Sequence, residues 1–210
     1  PMVGVNHGRC FAGNTALLAC CDVIIATKDS TIAMGGPAMI EGGGLGIYTP
    51  EEVGPMSFQV PNGVVDILVE DEAEAVQVAK QYLSYFQGST DSWEAPDQRK
   101  LRHIVPENRL RLYDMREIIA TLADKDSVLE IRAGFGVGVI TCFIRVEGRP
   151  MGVIANNPHH LAGAIDSDAA DKGTRFIQLC DAFDIPILSL MDCPGMMVGP
   201  DVEATALVRH

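Results

Sequence analysis

The sequence is short of basic residues and has no apolar run long enough to cross a membrane. Sixteen lysines and arginines stand against 28 acidic residues, which gives a formal net charge of -12 at pH 7. Such a chain repels phosphate backbones and anionic lipid surfaces, so we expect neither nucleic acid nor a membrane as a partner. The longest apolar runs, at residues 15–21 and 185–191, are far shorter than the roughly 20 residues of a transmembrane helix.

The cysteines lack the C-x-x-C spacing that is typical of zinc sites and redox pairs. Most of them lie in apolar stretches, where free and buried thiols are expected. The adjacent Cys20 and Cys21 have no basic neighbour in the sequence, so we expect buried thiols there as well. This use of cysteine favours a reducing compartment, either the cytoplasm or an organelle matrix.

At 47% hydrophobic residues the chain is globular, and its pattern divides in two. A polar stretch around Trp93 predicts a linker at 93–112 between a first domain at 1–92 and a second at 113–210. Residue 1 falls within a strand pattern and His210 within a helix pattern that has no stop signal, so we expect an internal fragment of a longer protein.

Hydrophobic periodicity predicts an α/β fold in both halves. In the first half we expect strands at 2–5, 23–26 and 31–34 and helices at about 12–21 and 73–86. Between Gly35-Gly36-Pro37 and Gly42-Gly43-Gly44 the segment is too rich in glycine for regular structure.

In the second half the pattern predicts helices at 115–122, 169–183 and 201–210. Two strands, 139–146 and 150–155, should form a hairpin at Glu147-Gly148. A further strand at 185–191 should pair in parallel, because a helix separates it from the hairpin.

The first candidate site is the helix start at Ala12-Gly13-Asn14. A helix start presents unpaired backbone N–H groups, and small residues let a ligand oxygen approach them. Ala12 and Gly13 are therefore candidate donors of an oxyanion hole, although the same small residues also suit tight helix-on-sheet packing. A second strand exits at Asp192 into a Pro- and Gly-rich loop, where Met196 and Met197 are expected to pack or to line a pocket.

No pair of side chains has the pattern of a catalytic acid and base. His159 and His160 have no carboxylate or cysteine at ligand spacing, so we expect an exposed or hydrogen-bonded loop there and predict no metal. The aspartates at 166, 168 and 171 read as the N-terminal cluster of the following helix.

Taken together, three strings resemble one family: "GRCFAGNTALLACCDVIIAT" from Gly8, "EGRPMGVIANNP" from Glu147, and "LAGAIDSDAADKGTRFIQLCDAFDIPILSLMDCPG" from Leu161. They are similar to the carboxyltransferases of biotin-dependent acetyl-CoA and propionyl-CoA carboxylases, within the crotonase superfamily. The resemblance covers nearly the whole chain. It implies two crotonase-like domains, with the back half of an acyl-CoA domain followed by the front half of a carboxybiotin domain.

The resemblance also implies roles for particular residues. Ala12 and Gly13 fall where the family has a Gly-Gly pair of oxyanion donors, with alanine here in place of the first glycine. The implied acyl-CoA site adds Gly8, Arg9, Cys10, Phe11, Asn14, Gly35, Gly36 and Pro37. The implied biotin-side pocket consists of Pro194, Gly195, Met196 and Gly199.

The implied activity is transfer of carbon dioxide from carboxybiotin to the α-carbon of an acyl-CoA through an enolate. In this picture the freed ureido nitrogen takes the substrate proton, so no side-chain base is expected. The implied partners are biotin carboxyl carrier and biotin carboxylase components and further copies of the chain, with sites between subunits. A biotin-dependent acyl-CoA decarboxylase and a catalytically silent CoA-binding fragment remain alternatives.

Overall fold

Two small parallel sheets organise the first unit, Pro1–Leu83, of the computed structural model. In one sheet β3 lies between β1 and β5, and in the other β2 pairs with β4. Apolar, largely β-branched residues favour a strand and explain why β3 is buried along its whole length. The elements are β1 (Val3–Asn6), β2 (Arg9–Phe11), α1 (Gly13–Ala19), β3 (Val23–Thr27), β4 (Thr31–Ala33), α2 (Pro37–Gly42), α3 (Pro50–Val53), α4 (Met56–Gln59), β5 (Ile67–Val69) and α5 (Glu72–Ser84).

The predicted strands and helices of the first half are confirmed, with ends shifted by a few residues. The expected irregular segment between the glycines is wrong, because it contains α2. Proline is favoured in the first turn of a helix, where its missing N–H costs nothing, and Pro37 occupies that place. The glycines lie at the two ends of the helix instead of preventing it: Gly36 precedes its first turn, and the N–H of Gly43, just after its last residue, bonds to the carbonyl oxygen of Met39 at 3.0 Å.

One four-stranded sheet, with the order β6-β7-β8-β9, organises the second unit, Ser84–His210. The pairs β6–β7 and β7–β8 are antiparallel, and β8–β9 is parallel, as predicted for strands joined through a helix. The core on this sheet includes Ile119, Ile140, Ile144 and Val153. The elements are α6 (Leu101–Ile104), α7 (Met115–Leu122), β6 (Leu129–Ile131), β7 (Val139–Val146), β8 (Arg149–Asn156), α8 (Ser167–Ala182), β9 (Ile187–Leu190) and α9 (Pro200–Glu203).

The hairpin at Glu147-Gly148 is confirmed, and both residues have positive φ, of 51° and 75°, as a tight two-residue turn requires. The predicted terminal helix at 201–210 is wrong, because α9 ends at Glu203 and Ala206 is left-handed. The Thr205 hydroxyl donates to the carbonyl oxygen of Val202 at 2.7 Å. Such local side-chain bonds compete with helix continuation.

The structure describes residues 1–108 and 110–210. The division into domains at 1–92 and 113–210 with a linker at 93–112 remains a prediction, and Arg109 of that linker lies outside the described residues. Within the described residues, no helix combines the length and the apolar character that a membrane span needs.

Candidate functional site

The first candidate site is the corner between β2 and α1. Ala12 occupies it with φ 53° and ψ -124°, a conformation that L-residues rarely adopt. Its N–H donates to the carbonyl oxygen of Met34 at 3.0 Å. The buried Thr15 hydroxyl lies 2.9 Å from the carbonyl oxygens of both Cys10 and Ala33. These contacts fix the corner onto the end of β4.

The glycine segment after β4 lies beside this corner. A Cβ built on Gly36 would lie 3.4 Å from the Phe11 ring, at van der Waals contact, so Gly36 and Phe11 are direct neighbours. Gly36 is also the residue that precedes the first turn of α2. The structure thus brings together two parts of the predicted acyl-CoA site, residues 10–14 and 35–37.

The two predicted oxyanion donors differ in availability. The Ala12 N–H is already bonded to Met34, whereas Gly13 is the first residue of α1, where backbone N–H groups have no acceptor within the helix. A Cβ on Gly13 would meet no atom within 4 Å, so the space beside it is open. Gly13 is therefore the better placed donor for a ligand oxygen, and the roles of both residues stay predictions.

Gly8 and Arg9 lie at the start of β2. Gly8 has φ 78°, which suits the turn between β1 and β2. The Arg9 guanidinium contacts Glu51 at 2.6 Å, and this hydrogen bond is the main reason that the pKa of the Glu51 carboxyl is lowered. Both side chains are exposed, so the pair adds little stability.

The second candidate site is a cavity of about 710 Å³ in the second unit, beyond the end of β9. Its lining is mixed, with aliphatic, aromatic and charged side chains. It is lined by Val105, Pro106, Arg111, Leu112, Tyr113, Pro158, Ala162, Met191, Asp192, Cys193 and Pro194.

Only part of the predicted biotin-side pocket faces this cavity. Pro194 lines it. Gly195 and Met196 lie against Ile165, whose N–H donates to the carbonyl oxygen of Gly195 at 3.1 Å. Gly199 precedes the first turn of α9 and has φ 121°. The loop therefore shapes the cavity mainly through its first residues.

Sequence reasoning missed a polar group that anchors this loop. Asn156 is fully buried, and its side-chain amide donates to the carbonyl oxygen of Asp192 at 2.7 Å and accepts from the Asp192 N–H at 2.6 Å. The Tyr113 hydroxyl donates to the Asp192 carboxylate at 2.8 Å. Burial, followed by this bond and the carboxylate charge, raises the pKa of Tyr113 to about 12. The available signal was a polar residue directly after each of the two apolar patterns expected as strands, 150–155 and 185–191.

The histidine loop is hydrogen-bonded, as expected. His160 Nε2 lies 2.9 Å from an Asp166 carboxylate oxygen, and Asp166 also accepts from the Ala169 N–H at the start of α8. This confirms Asp166 as a helix-capping residue. Across residues 1–108 and 110–210, no group of three or more His, Cys, Asp or Glu side chains is arranged to hold a metal ion.

The thiols are free but are not all buried. Cys10, Cys142 and Cys180 are buried, as expected, and burial is the main reason that the pKa of both Cys142 and Cys180 rises to about 12. The expectation of burial is wrong for Cys20, which is exposed, and Cys21 is only partly buried. Both follow the short, largely exposed helix α1, so an apolar neighbourhood in sequence did not mean a buried one.

Comparison with known proteins gives a consistent result. The family model of the carboxyl transferase domain matches residues 1–210. The uncharacterized carboxylase YngE of Bacillus subtilis is 35% identical over the whole chain, which spans 43% of that protein. The methylmalonyl-CoA carboxyltransferase 12S subunit of Propionibacterium freudenreichii is 33% identical, and the chain spans 42% of it. The chain thus covers less than half the length of these relatives.

Solved structures agree. A single-chain, multi-domain long-chain acyl-CoA carboxylase superposes with a TM-score of 0.98 at 60% identity, covering 100% of this chain and 22% of that one. Transcarboxylase 12S, a hexamer solved with methylmalonyl-CoA and methylmalonic acid, superposes with a TM-score of 0.87 at 32% identity, covering 100% of this chain and 43% of that one. The chain therefore belongs to the carboxyl transferase domain family and has its crotonase-like α/β fold.

Proposed function

We propose that this chain is part of the carboxyltransferase component of a biotin-dependent acyl-CoA carboxylase. The observation that carries the proposal is the superposition of the whole chain on a long-chain acyl-CoA carboxylase, with a TM-score of 0.98 at 60% identity. The reaction transfers carbon dioxide to the α-carbon of an acyl-CoA. The same observation supports a long-chain acyl-CoA as the substrate.

The residues at the β2–α1 corner serve the acyl-CoA in this proposal. Loss of a proton α to a thioester carbonyl places negative charge on the carbonyl oxygen. A fixed N–H dipole stabilises this developing charge more than it stabilises the neutral carbonyl, and so accelerates the reaction. Gly13 supplies such an N–H at the start of α1, beside open space. Phe11 and Gly36 form the neighbouring wall.

The cavity in the second unit fits the biotin group. Its volume of about 710 Å³ lies within the roughly 300–1,000 Å³ of small-molecule sites. Tyr113, Asp192 and Pro194 would hold the ring, and Arg111 brings a positive charge to the same lining. When bound, carboxybiotin supplies the carbon dioxide and a ureido nitrogen that accepts the substrate proton. The chain's own task is to orient that group and to exclude water.

The proposed partners are a biotin carboxyl carrier, a biotin carboxylase and further copies of the same subunit. The hexameric assembly of transcarboxylase 12S, a relative at 32% identity, supports the homo-oligomer. The net charge of -12 gives no support to a nucleic-acid partner.

The test is biotin-dependent release of carbon dioxide from malonyl-CoA, methylmalonyl-CoA and a 2-carboxylated long-chain acyl-CoA. The full-length protein that contains this chain is assayed beside the 210-residue chain alone. We expect release by the full-length protein, fastest with the long-chain substrate, and none by the isolated chain.

Failure of the full-length protein to act on any of these thioesters would overturn the proposal. Forward carboxylation with ATP, bicarbonate and a biotin carboxylase separates a carboxylase from a decarboxylase, since only the carboxylase should fix bicarbonate under these conditions. Full activity of the isolated chain would contradict the view that it holds only part of the site.

A further inference from the structure

Asp192 lies in the wall of the second-unit cavity and is held from two sides. The Asn156 amide bonds both backbone groups of Asp192, at 2.6 and 2.7 Å, which fixes the start of the loop. Tyr113 fixes the side chain through its 2.8 Å bond to Oδ2. Gly163 packs tightly here, since a Cβ on it would lie 2.6 Å from Asn156 Nδ2. A carboxylate held this way has little freedom left to lose when a ligand binds.

The geometry leaves one carboxylate oxygen for a ligand. Tyr113 occupies Oδ2, and among the described residues no donor bonds to Oδ1. The Tyr113 hydroxyl is protonated near neutral pH already at the usual tyrosine pKa of 10, and the rise of its pKa to about 12 extends the range in which it donates to Oδ2. Asp192 therefore offers a charged, oriented acceptor at the cavity wall, which suits a ligand that carries an N–H group.

We propose that Asp192 Oδ1 accepts a hydrogen bond from a ureido N–H of biotin in this cavity, with Asn156 and Tyr113 as positioning residues. This inference rests on the proposed function. The biotin ring is a cyclic urea, and the ureido nitrogen that is not carboxylated keeps its N–H. A rigid carboxylate acceptor binds such a donor more strongly than a neutral or mobile one does.

The test measures binding of free biotin to the full-length protein by calorimetry or ligand-observed NMR, with N,N′-dimethylbiotin as a ligand without ureido N–H groups. We expect the unmodified protein to prefer biotin. Asp192→Asn keeps the shape and an acceptor for Tyr113 but turns an NH₂ toward the ureido N–H. It should weaken biotin binding by about tenfold or more and remove the preference, as expected for loss of a bond to a charged acceptor.

Two further variants separate recognition from folding. Tyr113→Phe should weaken biotin binding by only about threefold and keep the preference, because the acceptor loses its orientation but not its charge. Asp181→Asn, an exposed change on α8 outside the cavity lining, should bind biotin normally. Melting temperatures of all variants show whether the fold is intact.

Unchanged biotin affinity in a folded Asp192→Asn variant would overturn the inference, even if the enzyme transfers carbon dioxide. Equal affinity of the unmodified protein for the two ligands would overturn it as well. A full-length protein that neither binds biotin nor acts on any acyl-CoA would instead overturn the proposed function itself.

Discussion

The backbone N–H of Ala12 donates to the carbonyl oxygen of Met34 over 3.0 Å, and this bond joins the start of α1 to the residue after β4. It holds Ala12 at φ 53° and ψ -124°, in a region where a Cβ is strained and glycine is not. The strain lies beside the proposed oxyanion donor. The backbone conformation of Ala12 therefore lowers the stability of the folded state.

Replacing Ala12 with glycine should remove that strain. We expect Ala12→Gly to raise the free energy of unfolding by about 1 kcal/mol, because the Cβ is lost while the bond to Met34 is kept. Chemical denaturation measures the change. Ala16→Gly, an exposed change within α1, is the matched control and should lower stability by about 1 kcal/mol through helix propensity. A loss of stability in both variants would show that Ala12 is not strained.

The Gly13 N–H can be removed without deleting a side chain. Proline lacks this donor but is tolerated at the first position of a helix, and a Cβ at Gly13 would meet no atom within 4 Å. In the full-length protein, Gly13→Pro should lower kcat by about 100-fold, the usual effect of losing one oxyanion donor. Gly13→Ala keeps the N–H and should remain within a few-fold of the parent. Equal activity of the two variants would remove Gly13 from the mechanism.

Gly163 and Gly88 form a matched pair for testing the Asn156–Asp192 contact. Their φ angles are 86° and 87°, but a Cβ on Gly163 would lie 2.6 Å from Asn156 Nδ2, whereas one on Gly88 would meet nothing within 4 Å. Gly88→Ala should cost about 1 kcal/mol for the backbone conformation alone. Gly163→Ala should cost at least about 2 kcal/mol, because the buried amide must move. Similar losses for the two variants, measured by denaturation, would mean that the contact is easily displaced.

Local patterns predicted much of the fold. Helix α7 matches its predicted bounds, and the Glu147-Gly148 turn forms where its glycine indicated, because periodicity and turn chemistry depend on neighbouring residues alone. The parallel pairing of β8 with β9 followed from the helix between them.

The polar contact at the second cavity could not be predicted in the same way. Asn156 and Asp192 are 36 residues apart, and they meet because the register of β8 and β9 sets Ala155 opposite Leu190. Nothing in the local sequence fixes that register. The exposure of Cys20 also depends on which side of α1 the rest of the unit covers, and not on the apolar residues beside it in sequence.

Lys172 of α8 is a buried amine that sequence reasoning did not single out. The side chain is 1% exposed, and Nζ has no hydrogen-bond partner among the described residues. Burial is the main reason that its pKa falls from the usual 10.5 to about 8; Glu130 opposes the shift, while Arg116 and Arg132 add to it. The folded state binds the Lys172 proton less tightly than the unfolded chain does. Protonation of this buried amine therefore destabilises the folded state.

The lowered pKa of Lys172 makes the stability of the fold depend on pH. Between about pH 8 and 10.5 the unfolded chain holds a proton on Lys172 that the folded chain has released, so the contribution of Lys172 to stability rises with pH. Lys172→Met keeps the length of the side chain and removes the charge. At pH 7 it should raise the free energy of unfolding by about 3 kcal/mol, from 1.36 kcal/mol per pKa unit. This advantage should shrink toward zero as the pH approaches 10.5.

Thermal unfolding at pH 7 and pH 10 measures that difference. The control is Lys80→Met, an exposed change on α5, which should leave the melting temperature nearly unchanged at both values. A Lys172→Met variant that is less stable than the parent at pH 7 would contradict the prediction. In that case the ammonium would be stabilising the folded state, and the pKa of Lys172 would be raised above its usual 10.5 instead of lowered.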